Sequence, residues 1–590
     1  MRIFLKPFTK ISHIVVLTGM YFMLSACGGG NGGTTVNTTV VSPVAVSAVF
    51  PAEARAGETI TVSGQQFGVT QGTSTLRING VTATQITSWS DTRIEAIVPV
   101  GATTGNVTVS VGGVAGAPGR LNVLWQATNP VNVALSNAPL DQVNPQLTSD
   151  DAGGAIVVWQ DHRVLTDVNN GGGDIYVQRV NNAGVPQWAA DGVAISITAR
   201  GKVRPQIVSD GMGGAIVVWV EIDIDTTFIG TTFTRGISTV YAQRVNSSGV
   251  PQWGANGVNL GATVSTGVVL NISTGLPIPQ VVADGAGGAI IVWEEFSVIG
   301  GTLFRQYIQR VNNAGVKQWG AGGVAFVAQL SRAPHRAMQL LADGAGGAFV
   351  AWAGGPAVRI YAQYVNSAGV PQWAVNGVAV VGGVSPISSR PKLTTDGAGG
   401  VIIAWNGGAG LTAGVGLVAQ RVNNVGMPQW GLNGVTIPVT GTNPVQVQIT
   451  TDDAGGAIVG WTDTINIYVQ RLNGAGVVQW AATGVAFGVA EPVVLPETTP
   501  LQLISDNTGG AMVVWEDFRS GVNDIYAQRV NDAGVPQWVN ATTVSTAADR
   551  QALPQLVADG VGVAVVVWQD RRNGSDYGIH AQGITASGRQ

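Results

Sequence analysis

One phrase occurs eight times in this chain, and it decides what kind of fold is open to it. It consists of an Asp, one or two small residues, Gly-Gly, an unbroken apolar run and a Trp. Segments 151–159 (DAGGAIVVW) and 284–293 (DGAGGAIIVW) are examples, and the Trp stands at Trp159, Trp219, Trp293, Trp352, Trp405, Trp461, Trp515 and Trp568, 53 to 74 residues apart. A second phrase lies between copies, as in 176–188 (YVQRVNNAGVPQW) and 526–538 (YAQRVNDAGVPQW). Units of this size, made of short apolar runs and turn residues, cannot bury a face alone and must stack on their neighbours. The period is that of a propeller or an array.

Each unit supplies four strand candidates. Strand a is short (145–148, PQLT), and the Asp-Gly-Gly turn leads into strand b (155–159), whose continuous apolar run fits a strand covered on both faces. Strand c is 175–180; a tight turn at 181–184 (NNAG) leads through 186–188 (PQW) to strand d near 192–197. Four antiparallel strands make one propeller blade. The last unit stops after strand c, whereas an orphan segment before the first unit, 125–135 (WQATNPVNVAL), aligns with 188–195 (WAADGVAI) and supplies a spare strand d. A ring closed by pairing its two ends needs this offset. The expected fold class is all-β: an N-terminal immunoglobulin-like β-sandwich plus an eight-bladed β-propeller (125–590) closed by pairing of N- and C-terminal strands.

The sandwich is expected at 43–124, where strand-like runs alternate with turn signals: 59–62 before Gly64, 76–78 before Asn79-Gly80, 107–111 before Gly112-Gly113. The module resembles the IPT/TIG immunoglobulin-like family in Pro51, Gly57, the 64–68 turn (GQQFG), Trp89, Ile94, Val98-Pro99, Gly105 and the alternating final strand. That resemblance implies the fold and leaves function open, since such domains serve as spacers, adhesion modules and enzyme accessories.

Residues 1–27 read as a targeting segment: Arg2, Lys6 and Lys10, then a mostly apolar 11–24 too short to span a bilayer. It ends in Leu24-Ser25-Ala26-Cys27 and resembles the bacterial lipobox, in which the Cys is lipidated and becomes the mature N-terminus. Cys27 is the single cysteine of the chain. The resemblance implies three acyl chains at Cys27, hence stable membrane attachment, and Gly28 in second place implies sorting to the outer membrane. Residues 28–42 (GGGNGGTTVNTTVVS) form a flexible tether.

With no second cysteine there is no disulfide framework, so the exported body must hold by burial. Charged residues are 11% of the chain and the net charge is −4; beyond the signal, lysine occurs at Lys202, Lys317 and Lys392. No basic stripe marks a nucleic-acid partner. Among His13, His162, His335 and His580 there is no metal-ligand spacing, and Glu221, Asp223 and Asp225 lack the Gly and closing Glu of a calcium loop, with Ile222 and Ile224 reading as an edge strand. No catalytic residue, metal or cofactor is expected.

What repeats in a repeat protein is its core: the Gly pairs free the a–b turn, the Asp can bond turn amides, the paired Trp residues fill the space between blades, and the Gln of each Tyr-x-Gln-Arg phrase can satisfy sheet edges. A sialidase-type Asp-box is departed from in spacing and order. Function is sought where repeats differ. The b–c and d–a connections emerge at one end of each blade and vary widely. Candidate ligand-binding residues there are Asp161, Arg163, Glu221, Asp223, Glu294, Asp517, Arg519, Asp570 and Arg572; the competing reading of the three Asp-x-Arg sets is a local ion pair. The expected function is a surface-anchored binding or adhesion module for an extracellular glycan or protein, held to the membrane through lipid on Cys27. The alternatives are a carbohydrate-active enzyme using acids on that face, and an outer-membrane assembly scaffold.

Overall fold

The computed structural model describes residues 43–584 apart from 56, 100–101, 103–104, 125–131, 165–171, 182–185, 197, 199, 226–234, 266–277, 298–302, 328–335, 355–358, 382–390, 408–415, 440–443, 464–465, 488–500, 539–540 and 559–563. The targeting segment, Cys27, the tether and most of the orphan segment lie outside the described residues.

Residues 43–124 form the expected sandwich. One sheet orders Ala45–Phe50, Thr59–Gln65, Arg93–Ile97 and Ile86–Trp89; the other contains Glu53–Arg55, Gly119–Leu124, Gly105–Val111 and Thr75–Ile78 with two short flanking strands. Alternation sets the two faces: Ile60, Val62, Leu76, Ile78, Ile94, Ala96, Val107 and Val109 point inward around Phe67. The hairpin after Ile78 turns on Asn79 and Gly80, both at positive φ (44° and 87°), the pairing that two-residue hairpins favour. Trp89 Nε1 donates to the Phe67 carbonyl at 3.0 Å and pins the buried ring's loop.

The repeats form eight four-stranded antiparallel sheets among the described residues, a propeller-like arrangement. The first comprises Gln142–Ser149 (a), Ala155–Asp161 (b), Asp174–Val180 (c) and Val193–Ser196 (d). Every residue of its strand b is buried, because a and c flank it and neighbouring sheets cover both faces. Apolar runs therefore outweigh alternation here, as in any strand enclosed on both sides. Each core cluster draws on two sheets: Ile216, Val218 and Trp253 of the second meet Ala289, Ile291 and Trp293 of the third. In six of the sheets the b-strand Trp stacks on the cross-strand Tyr of strand c, as in Trp219–Tyr241 at 5.9 Å, whereas the fifth places Val418 there and the eighth His580.

The eighth sheet takes its outer strand from the N-terminal side of the repeats. Val133–Ser136 runs antiparallel to Gly578–Ile584, with Val133 opposite Ala581 and Ala134 opposite His580. Leu135, Val565, Val567, Ile579 and Ala581 of this sheet share one cluster with Ala155, Val157 and Trp159 of the first.

The repeated polar residues hold turns and join sheets. In the first unit the turn carboxylate is Asp150, not Asp151: Asp150 Oδ1 accepts from the Ala152 and Gly154 amides (2.9 and 2.6 Å), and Oδ2 pairs with Arg179 Nε at 2.9 Å. Asp151 sits at φ 57°, where later units place Gly211 and Gly285 (70° and 75°); the double Asp hid the register. The same Asp–Arg pair recurs, for example at Asp210–Arg244 and Asp396–Arg421, and the fourth unit substitutes Tyr364, whose hydroxyl donates to Asp343 at 2.8 Å. The buried Gln of strand c secures the c–d connection rather than a sheet edge: Gln243 Oε1 accepts from the Trp253 amide and Nε2 donates to the Gly254 carbonyl. Trp253 Nε1 then reaches the next sheet, donating to the Asn313 carbonyl at 2.9 Å. Gly315 receives that indole at φ 81°, where a Cβ would come within 2.9 Å of the ring.

Candidate functional site

Strands that alternate in direction put the a–b and c–d turns at one end of each sheet and the b–c and d–a connections at the other. Asp161, Asp517 and Asp570 are the last residues of strand b in the first, seventh and eighth sheets. In each, a Gln or Glu precedes the Asp and an Arg follows two residues later. Asp161 Oδ2 accepts from Trp159 Nε1 at 2.8 Å, and Oδ1 accepts from the Arg163 amide (2.9 Å) and Nε (2.8 Å). Arg163 Nη2 closes the pair at 2.6 Å. Asp570 repeats the set with Trp568 Nε1 and Arg572, and Asp517 with Trp515 Nε1 and Arg519.

These carboxylates are buried and fully engaged, at 0% side-chain exposure in all three pairs. The guanidinium groups extend the brace to other elements. Arg163 lies 3.9 Å over the Tyr176 ring, donates to the Asp191 carbonyl at 2.6 Å and reaches Ser136 Oγ of the eighth sheet at 3.4 Å. Arg572 reaches Ser545 Oγ of the seventh at 3.2 Å. Burial works to raise the Asp570 carboxyl, but bonds from Arg572 and Trp568 and the field of His580 hold it below the usual carboxylate range. The geometry is that of three structural ion pairs, each tying a Trp and a loop to the sheet.

The other candidates sit within strands rather than in loops. Glu221 and Asp223 belong to Ala215–Asp225, and Glu294 to Ala289–Ser297. The first of these strands is not an edge: it lies between Gly201–Ser209 and Arg235–Val245, pairing with the latter as far as Asp225. The inserted residues lengthen a hairpin, which is why Ile222 and Ile224 alternate. Glu221 accepts from Thr198 Oγ1 at 2.8 Å and pairs with Arg200 at 3.3 Å. Glu294 accepts from Gln306 Nε2 at 2.7 Å. The structure thus brings Asp and Arg together within the first, seventh and eighth units and keeps Glu221 and Glu294 in separate sheets.

Sequence reasoning passed over several residues at this end. Tyr176 and Tyr526 face the Arg residues, and His580 takes the Tyr position of the eighth unit, 6.2 Å from Trp568. Lys202 is fully buried and bridges to Asp174 at 2.8 Å. Glu516 is held by the Leu553 amide and Asn523, and burial pushes its carboxyl up. Aligning strand c by its first residue (Asp174, Asp524, Gly578) rather than by the Tyr phrase is the signal that would have exposed these positions.

Two losses are expected in the seventh unit. Asp517→Ala strands the buried Trp515 indole N–H, so its expected cost is about 2–3 kcal/mol in chemical unfolding. Arg519→Ala leaves the enclosed Asp517 carboxylate without its cation, and its expected cost is also about 2–3 kcal/mol. A cost under about 1 kcal/mol for Arg519→Ala would show that water replaces the guanidinium at Asp517.

The IPT/TIG domain family matches residues 43–123. A cyclomaltodextrin glucanotransferase of Paenibacillus macerans is 30% identical over 208 residues, 34% of this chain and 26% of that protein. One from Niallia circulans is 37% identical over 87 residues, 14% and 12% of the two chains. The chain therefore spans about a quarter or less of the length of these curated relatives. Among solved structures, a Hadza microbial sialidase shares 10% identity at a TM-score of 0.32, covering 84% of this chain and 77% of that one. Prolyl oligopeptidase B from Galerina marginata shares 10% at a TM-score of 0.38, covering 74% and 56%.

Proposed function

We propose that this chain is an exported, lipid-anchored binding module in which an immunoglobulin-like spacer carries a closed eight-bladed propeller. The observation that carries the binding reading is the division of labour at the b–c end. The acids that could have formed a catalytic pair are spent on Trp, Arg, Thr and Gln partners. What differs from unit to unit is the connections between strands, the place where binding surfaces are built on a rigid scaffold. The ligand is an extracellular glycan or protein. The similarity to cyclomaltodextrin glucanotransferases makes a glucan the first ligand to try.

Closure of the ring is supported by the Val133–Ser136 pairing and by clusters that link each sheet to the next and the eighth to the first. The anchor reading rests on the lipobox at Cys27. In membrane fractionation of an expressing Gram-negative cell, the wild type is expected with the outer membrane and Cys27→Ser in the soluble exported fraction. Unchanged partitioning would remove the anchor. The binding reading is tested by titrating the chain with glucans and with a panel of surface glycans. Exchanging the 226–234 and 298–302 connections for short Gly/Ser turns should abolish binding at an unchanged melting temperature, and release of reducing sugar would instead make the protein an enzyme.

A further inference from the structure

The repeat contains its own control for a buried charge. Where the second sheet follows the first, Lys202 is the second residue of strand a and its backbone amide donates to the Gly173 carbonyl at 2.9 Å. Its ammonium contacts Asp174 Oδ1 (2.8 Å) and the carbonyls of Thr198 (2.7 Å) and Arg200 (3.0 Å). The ammonium is fully enclosed and supplies the single positive charge that the Asp174 carboxylate needs.

The same position recurs where the eighth sheet follows the seventh. Gln551 occupies the place of Lys202, and its amide donates to the Asn523 carbonyl at 2.8 Å, one residue before Asp524, the counterpart of Asp174. Gln551 Nε2 takes over the loop carbonyls, donating to Ala547 (3.1 Å) and Asp549 (2.7 Å). The carboxylate is left behind. Asp524 is 1% exposed and Gln551 0% exposed. No donor reaches Asp524 Oδ1, Asp524 Oδ2 or Gln551 Oε1 among the described residues. Burial pushes the Asp524 carboxyl up and the Asp517 charge adds to this; the Ser520 hydroxyl opposes it but gives its proton to the Val522 carbonyl. Three buried acceptor oxygens thus stand without donors where the equivalent junction holds a cation, an arrangement that costs free energy unless something positive joins them.

We propose that the junction of the seventh and eighth sheets is a binding site for one monovalent cation of ammonium size, such as K⁺, ligated by the Asp524 carboxylate and Gln551 Oε1 in the place that the Lys202 ammonium fills at the junction of the first and second sheets. Hard oxygen donors suit a hard cation. One carboxylate, with no group of three or more acidic, His or Cys side chains among the described residues, argues against a divalent site. The junction of the eighth and first sheets completes the series: Gln142 replaces the Lys again and donates its amide to the Tyr577 carbonyl at 2.7 Å, but Gly578 replaces the Asp. Gln142 Oε1 is likewise a buried acceptor without a donor among the described residues, so what sets the seventh–eighth junction apart is the Asp524 carboxylate; where that carboxylate is absent there is no charge to neutralise. The site depends neither on lipidation nor on ring closure.

The test uses the full chain in KCl and in tetramethylammonium chloride at equal ionic strength. The wild-type melting midpoint is expected about 1–3 °C higher in KCl and to rise with K⁺ concentration. Gln551→Lys supplies its own ammonium, so its midpoint should match in both salts and equal or exceed the wild type in KCl. Asp524→Asn should also lose the salt difference, its amide donating to Gln551 Oε1. Crystals soaked in Tl⁺, a heavy surrogate of K⁺, should show a peak between Asp524 and Gln551 in the wild type, which keeps the proposal testable if a variant fails to fold. Equal wild-type midpoints in both salts overturn it, as does a salt difference that survives both substitutions. A salt-blind midpoint that rises on acidification towards pH 5 also overturns it, showing that a proton on Asp524 fills the role.

Discussion

A chain lacking residues 125–136 is expected to lose its cooperative unfolding transition and to aggregate at concentrations where the full chain is monodisperse. Two contributions set the size of the effect. The first is the outer strand itself: burial of Leu135, the ladder from Val133 to Ser136 and the 2.6 Å bond from Asn132 to Ser545, together at least about 4 kcal/mol. The second is what the deletion uncovers. Ile579, Ala581 and Ile584 are fully buried on a strand that would become a bare edge, the geometry that templates intermolecular pairing. A local loss elsewhere would lower the midpoint and leave one transition; removal of a strand that comes from the N-terminal side of the repeats and pairs with the eighth sheet should uncouple the two ends of the array. Light scattering, together with the slope of a urea melt, separates the cases. An unaltered midpoint and slope would mean that residues 133–136 decorate the sheet without holding it.

The architecture was legible because it is repeated. Eight copies of an apolar run between turn signals leave little freedom in assigning strand b, and every one of those runs is a buried central strand. The displaced strand d was legible for a related reason: an orphan with the composition of a known unit has a defined place in the pattern. Errors arose where one copy departs from the others. The double Asp at 150–151 shifted the turn by one residue, since only the φ of Asp151 reveals which of the two occupies the Gly position. Glu221, Asp223 and Glu294 lie in strands and not in loops, since hydrogen bonding carries these strands beyond the Trp at which their apolar runs end.

The candidate site was legible as a pattern and opaque in its geometry. Asp-x-Arg after a Trp marks three units out from the others, but sequence shows neither the indole N–H that accounts for the Asp nor the hydroxyl on the neighbouring sheet that receives the Arg. Those partners lie across sheet boundaries, where spacing along the chain carries no information. Lys202 is the instructive case: it read as one of three scarce lysines in a weakly charged chain, yet it is enclosed and paired. Scarcity of charge was a clue to burial as much as to surface character.

Acid should loosen the seam between Val133–Ser136 and Gly578–Ile584 through His580, and this is the largest single-residue effect expected. His580 stands where six of the other seven units carry a Tyr stacked on the b-strand Trp, and it is opposite Ala134 in the seam. Burial, opposed by the Asp570 charge and assisted by that of Arg572, lowers its pKa to about 4. The unfolded chain binds this proton near pH 6.5 and the folded chain only near pH 4. Between those values the unfolded state holds more protons, so stability is fully present above about pH 6.5 and falls as the pH drops through the window, by about 3 kcal/mol in total. Asp570, with its lowered pKa, adds a loss only at more acid pH, below the unfolded carboxylate range. Replacing His580 by Tyr supplies the residue of six other repeats and removes the titration. The variant should therefore match or exceed the wild type at pH 7 and keep its stability to pH 4.5, where the wild type has lost most of this contribution. Parallel pH profiles for the two proteins would show that the imidazole is solvated in the folded state and that acid does not act on the seam through it.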